Sequence, residues 1–201
     1  MCNIICVTNR GLCADFPAQL RKIAAAKPRA VILREKDLSP QEYRSLAESA
    51  MQICAEHGVP CILHSFTDIA AELGAEAIHL PLHMLAELPA DVKARFRVIG
   101  ASCHSVADAL KAQELGAAYI TAGHVFATDC KRGLPPRGLD FLREVCSAVS
   151  IPVYAIGGID AEKYVSVLDA GAAGACVMSG LMNCTEPSMY LDRFREESES
   201  R

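Results

Sequence analysis

The 201-residue chain has no tryptophan, and its six Phe and five Tyr hold the aromatic content to 5%. That scarcity excludes the stacking platforms on which single-stranded nucleic acids are held. Positive charge is not in excess either: 20 Lys and Arg stand against 24 Asp and Glu, a formal net charge of −4. With no broad cationic field and no basic recognition helix, nucleic acid is not an expected partner. No segment approaches the ~20 consecutive apolar residues of a bilayer span, so no membrane association is expected. The N-terminal MCNIICVTNRG lacks the basic segment that precedes the apolar run of a secretory signal, and reads as a first strand. Cysteine is abundant, at ten residues, but CxxC pairs and metal-finger spacings are absent. Most of these cysteines, among them Cys61, Cys146 and Cys176, sit in apolar runs where a thiol behaves as a small hydrophobe. A reduced, cytoplasmic chain with buried thiols is the expectation.

What is present is an alternation of short β-rich runs and helical stretches with no linker between them. The candidate strands are residues 3–8, 30–35, 60–64, 76–80, 97–102, 118–123, 152–157 and 174–179. Most are continuous Val, Ile, Ala and Cys runs, the pattern of strands covered on both faces of a parallel sheet. The helical signals are local. Ser39-Pro40-Gln41-Glu42 combines a cap, a first-turn proline and an acid, and its helix runs to a stop at Gly58. Ser105 opens a helix with apolar Val106, Ala109, Leu110 and Ala112 that stops at Gly116, and Asp160 opens another that stops at Gly171. Eight such units predict an α/β fold, a single (β/α)8 TIM barrel over residues 1–201. A doubly wound open sheet is the rival, but no GxGxxG follows the first strand.

Polar residues and glycines recur at the strand C-terminal ends, which converge on one mouth in a barrel. They include Arg34, Glu35, Lys36, His64, His79, Ser102, His104, Gly123 and His124. Gly157, Gly158, Ser179 and Gly180 follow the last two strands, where backbone amides can approach an anion, and are read as a phosphate-binding cup. The ligand expected is a small phosphorylated molecule.

The segments ILREKD (32–37), IGASCHS (99–105), GHVFATDCKRG (123–133), PVYAIGGI (152–159) and CVMSG (176–180) resemble the thiamine phosphate synthase superfamily from the first strand to the last helix. GHVFATDCKRG with Arg137-Gly138 is most similar to its thiazole tautomerase branch. That resemblance implies an isomerase. It would convert a non-aromatic carboxythiazole phosphate tautomer to aromatic 2-(2-carboxy-4-methylthiazol-5-yl)ethyl phosphate for thiamine synthesis, with no cofactor. His124 matches the position of the branch's essential histidine, and is expected as general acid/base, a role typically worth about 10²- to 10⁴-fold. Arg34, Lys36, His104, Thr128 and Lys131 are the expected substrate-binding residues. Alternation places Arg34 and Lys36 on one side and Glu35 on the other. Lys36 in a solvent salt bridge and His104 as part of a helix cap are the structural alternatives. Asp129 is read either as tuning a histidine or as capping a turn, and residues 131–138 either as a loop over the mouth or as an ordinary connection. Cys130, beside Lys131 and Arg132, is the one thiol near the proposed chemistry.

In the synthases of this superfamily an Asn-Asp pair and an HLGQ-x-D segment close the third and fourth strands, and the aspartates bind magnesium. Here the matching positions hold Ser65 and Met84, within His64-Ser65 and HLPLHM (79–84). His64, His79 and His83 fit no familiar metal-ligand spacing, so no metal is expected. Two further readings accompany the isomerase: thiamine phosphate synthase, a transferase, and a catalytically silent binder or regulator of thiazole or thiamine phosphates. By analogy with relatives, the resemblance allows a homo-oligomer.

Overall fold

Eight short strands form where both faces can be covered by apolar side chains. The computed structural model describes residues 3–199, with the Cys130 side chain excepted, so Cys2 and the thiol of Cys130 lie outside what is described. The strands are β1 (Ile4–Val7), β2 (Ala30–Leu33), β3 (Cys61–His64), β4 (Ala77–Pro81), β5 (Val98–Cys103), β6 (Tyr119–Gly123), β7 (Val153–Ile156) and β8 (Gly174–Val177). All pair in parallel in chain order, and β1 closes on β8 through Ile4↔Ala175, Ile5↔Cys176 and Cys6↔Val177. The result is the closed (β/α)8 barrel expected from the sequence, not the open sheet.

Around the strands run α1 (Phe16–Ala25), α2 (Pro40–Glu56), α3 (Thr67–Glu72), α4 (Leu82–Glu87), α5 (Ala90–Lys93), α6 (Val106–Glu114), α7 (Gly138–Ala148), α8 (Ala161–Asp169), α9 (Ser179–Met182) and α10 (Pro187–Glu199). The predicted caps are in place. Ser39 and Glu42 form a reciprocal capping box on α2, and Ser105 and Asp160 accept from Asp108 and Lys163 amides at the starts of α6 and α8. Gly58, Gly116 and Gly171 follow their helices with positive φ.

Strand ends differ from the sequence pattern by a residue or two, for identifiable reasons. After Leu33 the Arg34 amide donates to the Thr8 hydroxyl at 3.0 Å and leaves the ladder, so β2 stops before Arg34. Gly157 turns the chain with φ of +102°. Met178 caps α9, which starts at Ser179. Leu110 faces solvent instead of the core, because the buried face of α6 is made by Ala109 and Ala112. Cys61 and Cys146 are only half-buried, whereas Cys6, Cys54, Cys103 and Cys176 are buried as expected of a small hydrophobe.

Two apolar layers result from strand alternation. One lies between barrel and helices and includes Ile4, Cys6, Leu20 and Ile53; the other fills the barrel with Ile5, Val7, Ile32, Ile62, Tyr119 and Tyr154. Gly100 is required in this interior, since a Cβ there would overlap the Tyr119 ring. Tyr43, fully buried on α2, reaches the barrel's edge, donating to the Leu33 carbonyl and accepting from the His64 amide, each at 2.9 Å. It thereby ties the mouth ends of β2 and β3 together.

Candidate active site

The C-terminal strand ends surround a cavity of about 340 Å³. The structure brings all ten sequence-predicted site residues to it: Arg34, Lys36, His104, His124, Thr128, Lys131, Gly157, Gly158, Ser179 and Gly180. His64, Ser102, Thr121 and Ile159 also line it. His64 and Ser102 are legible as strand-end polar residues; nothing in the sequence marks Thr121, which faces the barrel interior from the middle of β6.

Beyond β2 the chain stays extended enough for alternation to persist. Arg34 and Lys36 face the cavity, while Glu35 is turned away and buried, accepting from the Thr8 hydroxyl at 2.7 Å and from the Arg10 amide at 3.1 Å. Arg10 also pairs with Asp37 at 2.6 Å, and that guanidinium holds the Asp37 carboxyl below its ordinary range. The acids of this segment are thus taken up by Arg10, and the cations are left to the mouth. Among the described residues Lys36 has no carboxylate partner, so the solvent salt bridge considered for it is not formed. Burial, then the positive charges of Arg34 and Lys131, push the Lys36 ammonium pKa down.

Two histidines flank the opposite side. His104 Nδ1 lies 2.9 Å from the Gly123 carbonyl, and His124 Nε2 lies 3.3 Å from that of Leu134. A carbonyl oxygen only accepts, so these nitrogens carry protons, and the other nitrogen of each ring is free of a protein partner in these two contacts. The His104 amide also donates to Asp108 at 2.8 Å, so the residue takes part in the α6 entry as well as in the cavity wall. Asp129 tunes no histidine: it pairs with Arg132 at 3.1 Å on the exposed loop. The Gly123–His124 peptide is cis.

Gly157 and Gly158 line the cavity and also allow close packing behind it. A Cβ at Gly157 would overlap His124, and one at Gly158 would overlap the Ala127 carbonyl. Their neighbours accept and donate across the gap, Val125 to Ile156 and Phe126 to Gly157, so the turn after β7 fixes the position of His124. Ser179 and Gly180 open the single turn α9, where the first amides have no acceptor within the helix.

The floor is a neutral hydrogen-bonded chain. His79, assigned from the sequence to the mouth, instead lies buried beneath it, with Nδ1 3.0 Å from the Tyr119 hydroxyl and Nε2 2.9 Å from the Ser102 hydroxyl. His64 Nδ1 is 2.7 Å from the Ser65 hydroxyl, and Ser65 holds a left-handed φ of +67°. Burial first, and then neighbouring positive charge, lowers both imidazoles to about 3, so both are neutral at ordinary pH.

Magnesium, which the resemblance implies at the ends of β3 and β4, finds no suitable donors. Ser65 is bonded to His64, and Met84 offers a thioether that packs on the core. No carboxylate is among the described residues lining the cavity, and among the described residues no cluster of His, Cys, Asp and Glu could hold a metal ion. Magnesium requires hard oxygen ligands, commonly carboxylates, so these residues do not fit it.

A closed (β/α)8 barrel whose mouth carries three cations and two glycine-bearing turns around one cavity defines a protein suited to a small anionic ligand. More particularly, the chain belongs to the thiamine monophosphate synthase family, whose profile matches residues 4–181. It is 34% identical over 171 residues to the thiamine-phosphate synthase of Caldanaerobacter subterraneus subsp. tengcongensis, covering 83% of this chain and 78% of that one. A probable thiamine biosynthetic bifunctional enzyme of Oryza sativa subsp. japonica is 37% identical over 166 residues, 81% of this chain, which spans only 30% of that protein's length. The solved thiamine phosphate pyrophosphorylase of Pyrococcus furiosus superposes with a TM-score of 0.85 at 26% identity, covering 98% of this chain and 96% of that one.

These relatives overturn the isomerase expected from GHVFATDCKRG: one is named a thiamine-phosphate synthase and one a thiamine phosphate pyrophosphorylase, which are transferases, one a thiamine biosynthetic bifunctional enzyme, and none of the three a tautomerase. The physical reason is that a histidine at a strand end can serve many reactions. The segment located a cavity residue without fixing the bond that changes.

Proposed function

We propose that the chain is a transferase of the thiamine-phosphate synthase kind, joining a thiazole phosphate to a pyrimidine carried as its diphosphate. The observation that carries this reading is the pairing of two anion-receptive walls across one 340 Å³ cavity, in a chain whose relatives are named for the reaction. Amides at Gly157, Gly158, Ser179 and Gly180 would take the thiazole phosphate. Arg34, Lys36 and Lys131 would take the diphosphate, Arg34 bidentately. A bond forms from the thiazole to the carbon that bore the diphosphate as the carbon–oxygen bond breaks, and the electron pair leaves with pyrophosphate. The three cations stabilise that departing charge, which is where fixed charge lowers a barrier most. His124 is the acid/base residue of the site: its free ring nitrogen first takes a proton from solvent and then passes it to the leaving group, while His104 and Thr128 orient the ring. No helix among the described residues is long and apolar enough to cross a membrane. A cytoplasmic location, where unbridged thiols persist, accords with the reading.

The test is to incubate the purified chain with thiazole phosphate and pyrimidine diphosphate and to quantify thiamine phosphate and pyrophosphate. Equimolar products are expected, and His124→Gln should lower kcat by about 10²- to 10⁴-fold while leaving thiazole phosphate affinity within a few-fold. One observation favours a second reading, a ligand-binding protein that does not couple: no carboxylate is among the described residues that line the mouth. Saturable binding of both substrates without product would decide for it and against the transferase.

A further inference from the structure

We infer that the diphosphate wall of this cavity works without a divalent cation, Arg34, Lys36 and Lys131 together taking the place of the metal. The inference rests on the transferase reading for the identity of the diphosphate, and on the donor set for its chemistry. Metal-assisted binding of a diphosphate needs carboxylates to hold the ion. Of the acids nearest the mouth in sequence, Glu35 is committed to Thr8 and Arg10, Asp37 to Arg10, Asp108 to the His104 amide, Asp129 to Arg132 and Asp160 to Lys163, and Asp68, exposed on α3, does not line the cavity. At the end of β3 the oxygen that remains is the Ser65 hydroxyl, bonded to a histidine that burial keeps neutral.

Charge makes the same point from the other side. Arg34, Lys36 and Lys131 line one cavity with no carboxylate between them among the described residues. Their mutual repulsion is felt at Lys36, whose ammonium the other two disfavour. A multiply charged anion relieves that repulsion, whereas a magnesium ion would add to it. Magnesium complexed to the diphosphate would also lower the ligand's negative charge, and with it the attraction to the wall.

Calorimetric titration with inorganic pyrophosphate, first in EDTA and then with excess magnesium, tests this. Saturable binding is expected in EDTA, unchanged or weakened by magnesium. Lys36→Met and Lys131→Met should each weaken it about tenfold or more, since each removes a charge-assisted hydrogen bond. Lys111→Met, on the exposed face of α6, should bind like the unaltered chain. Both mouth lysines are solvent-exposed, and an unchanged thermal midpoint would show that the variants fold. Binding that appears only with magnesium, binding indifferent to the mouth lysines, or no binding in either buffer would each overturn the inference. Pyrophosphate bound without metal but no coupling would remove the transferase reading and leave this one standing. Coupling that strictly requires magnesium would do the reverse.

Discussion

His64 and His79 are only 5.8 Å apart, ring to ring, and both are buried under a cationic mouth. Desolvation is the larger cause of their low pKa; for His64 the charges of His79, Arg34 and Lys36 add to it, and for His79 that of Arg34. Each falls from 6.5 to about 3. The unfolded chain therefore takes up protons below pH 6.5 that the folded chain refuses, and stability is lost as pH falls through this window. Above it these two histidines contribute no slope. Between pH 6 and 4 each should cost about 1.4 kcal/mol of stability per pH unit. Urea denaturation at a series of pH values is expected to show the fall, and His64→Asn should remove roughly half of it. A slope unchanged by that substitution would mean that the imidazoles are not neutral in the fold.

At the scale of elements, the turn after β7 decides where His124 stands. Gly158 has φ of +67°, and Gly58, after α2, has nearly the same φ of +65°. They differ in surroundings: an added Cβ meets nothing at Gly58 but overlaps Phe126 and the Ala127 carbonyl at Gly158. Gly58→Ala should therefore cost only the left-handed conformation, about 1 kcal/mol. Gly158→Ala should cost clearly more, roughly 2–4 kcal/mol, because backbone must also move. Equal losses in urea denaturation would refute the close approach of the β6 and β7 ends. The glycine pair was legible in the sequence, but only as a cup for an anion. Its part in seating residues 124–127 depends on a neighbour some 30 residues away in the chain and has no local signature.

Across the whole molecule, a net charge of −4 coexists with a positive mouth, because Arg10 gathers acids on one side of the β2 end and leaves Arg34 and Lys36 on the other. The barrel itself is protected by ladders on every strand, whereas residues 131–137 are exposed throughout and touch the mouth through the Leu134 carbonyl and His124. Exposed loop tips are where proteases cut first. Trypsin is expected to cleave first after Lys131, Arg132 or Arg137, and inorganic pyrophosphate to slow that cleavage several-fold by engaging Lys131. First cuts elsewhere, or cleavage indifferent to pyrophosphate, would make these residues a plain connection.

The sequence by itself determined the order of elements and the location of the mouth. Continuous apolar strands, helix caps and terminal glycines are local signals, written within a few residues of the structure they produce. It also brought ten residues to the mouth by register along each strand, as alternation did for Arg34, Glu35 and Lys36. Only the tertiary structure decided which strand-end groups face the ligand and which face each other. His79 and His64 both read as strand-end residues, yet β4 runs on to Pro81, so His79 lies mid-strand against Tyr119 and Ser102, whereas His64 ends β3 on the cavity wall. Glu35 is withdrawn because Thr8 and Arg10, more than twenty residues earlier, donate hydrogen bonds to its carboxylate across the β1–β2 pair. Metal chemistry follows the same division: the missing aspartates were visible as Ser65 and Met84, but that no other acid among the described residues takes their place is a matter of three-dimensional charge placement.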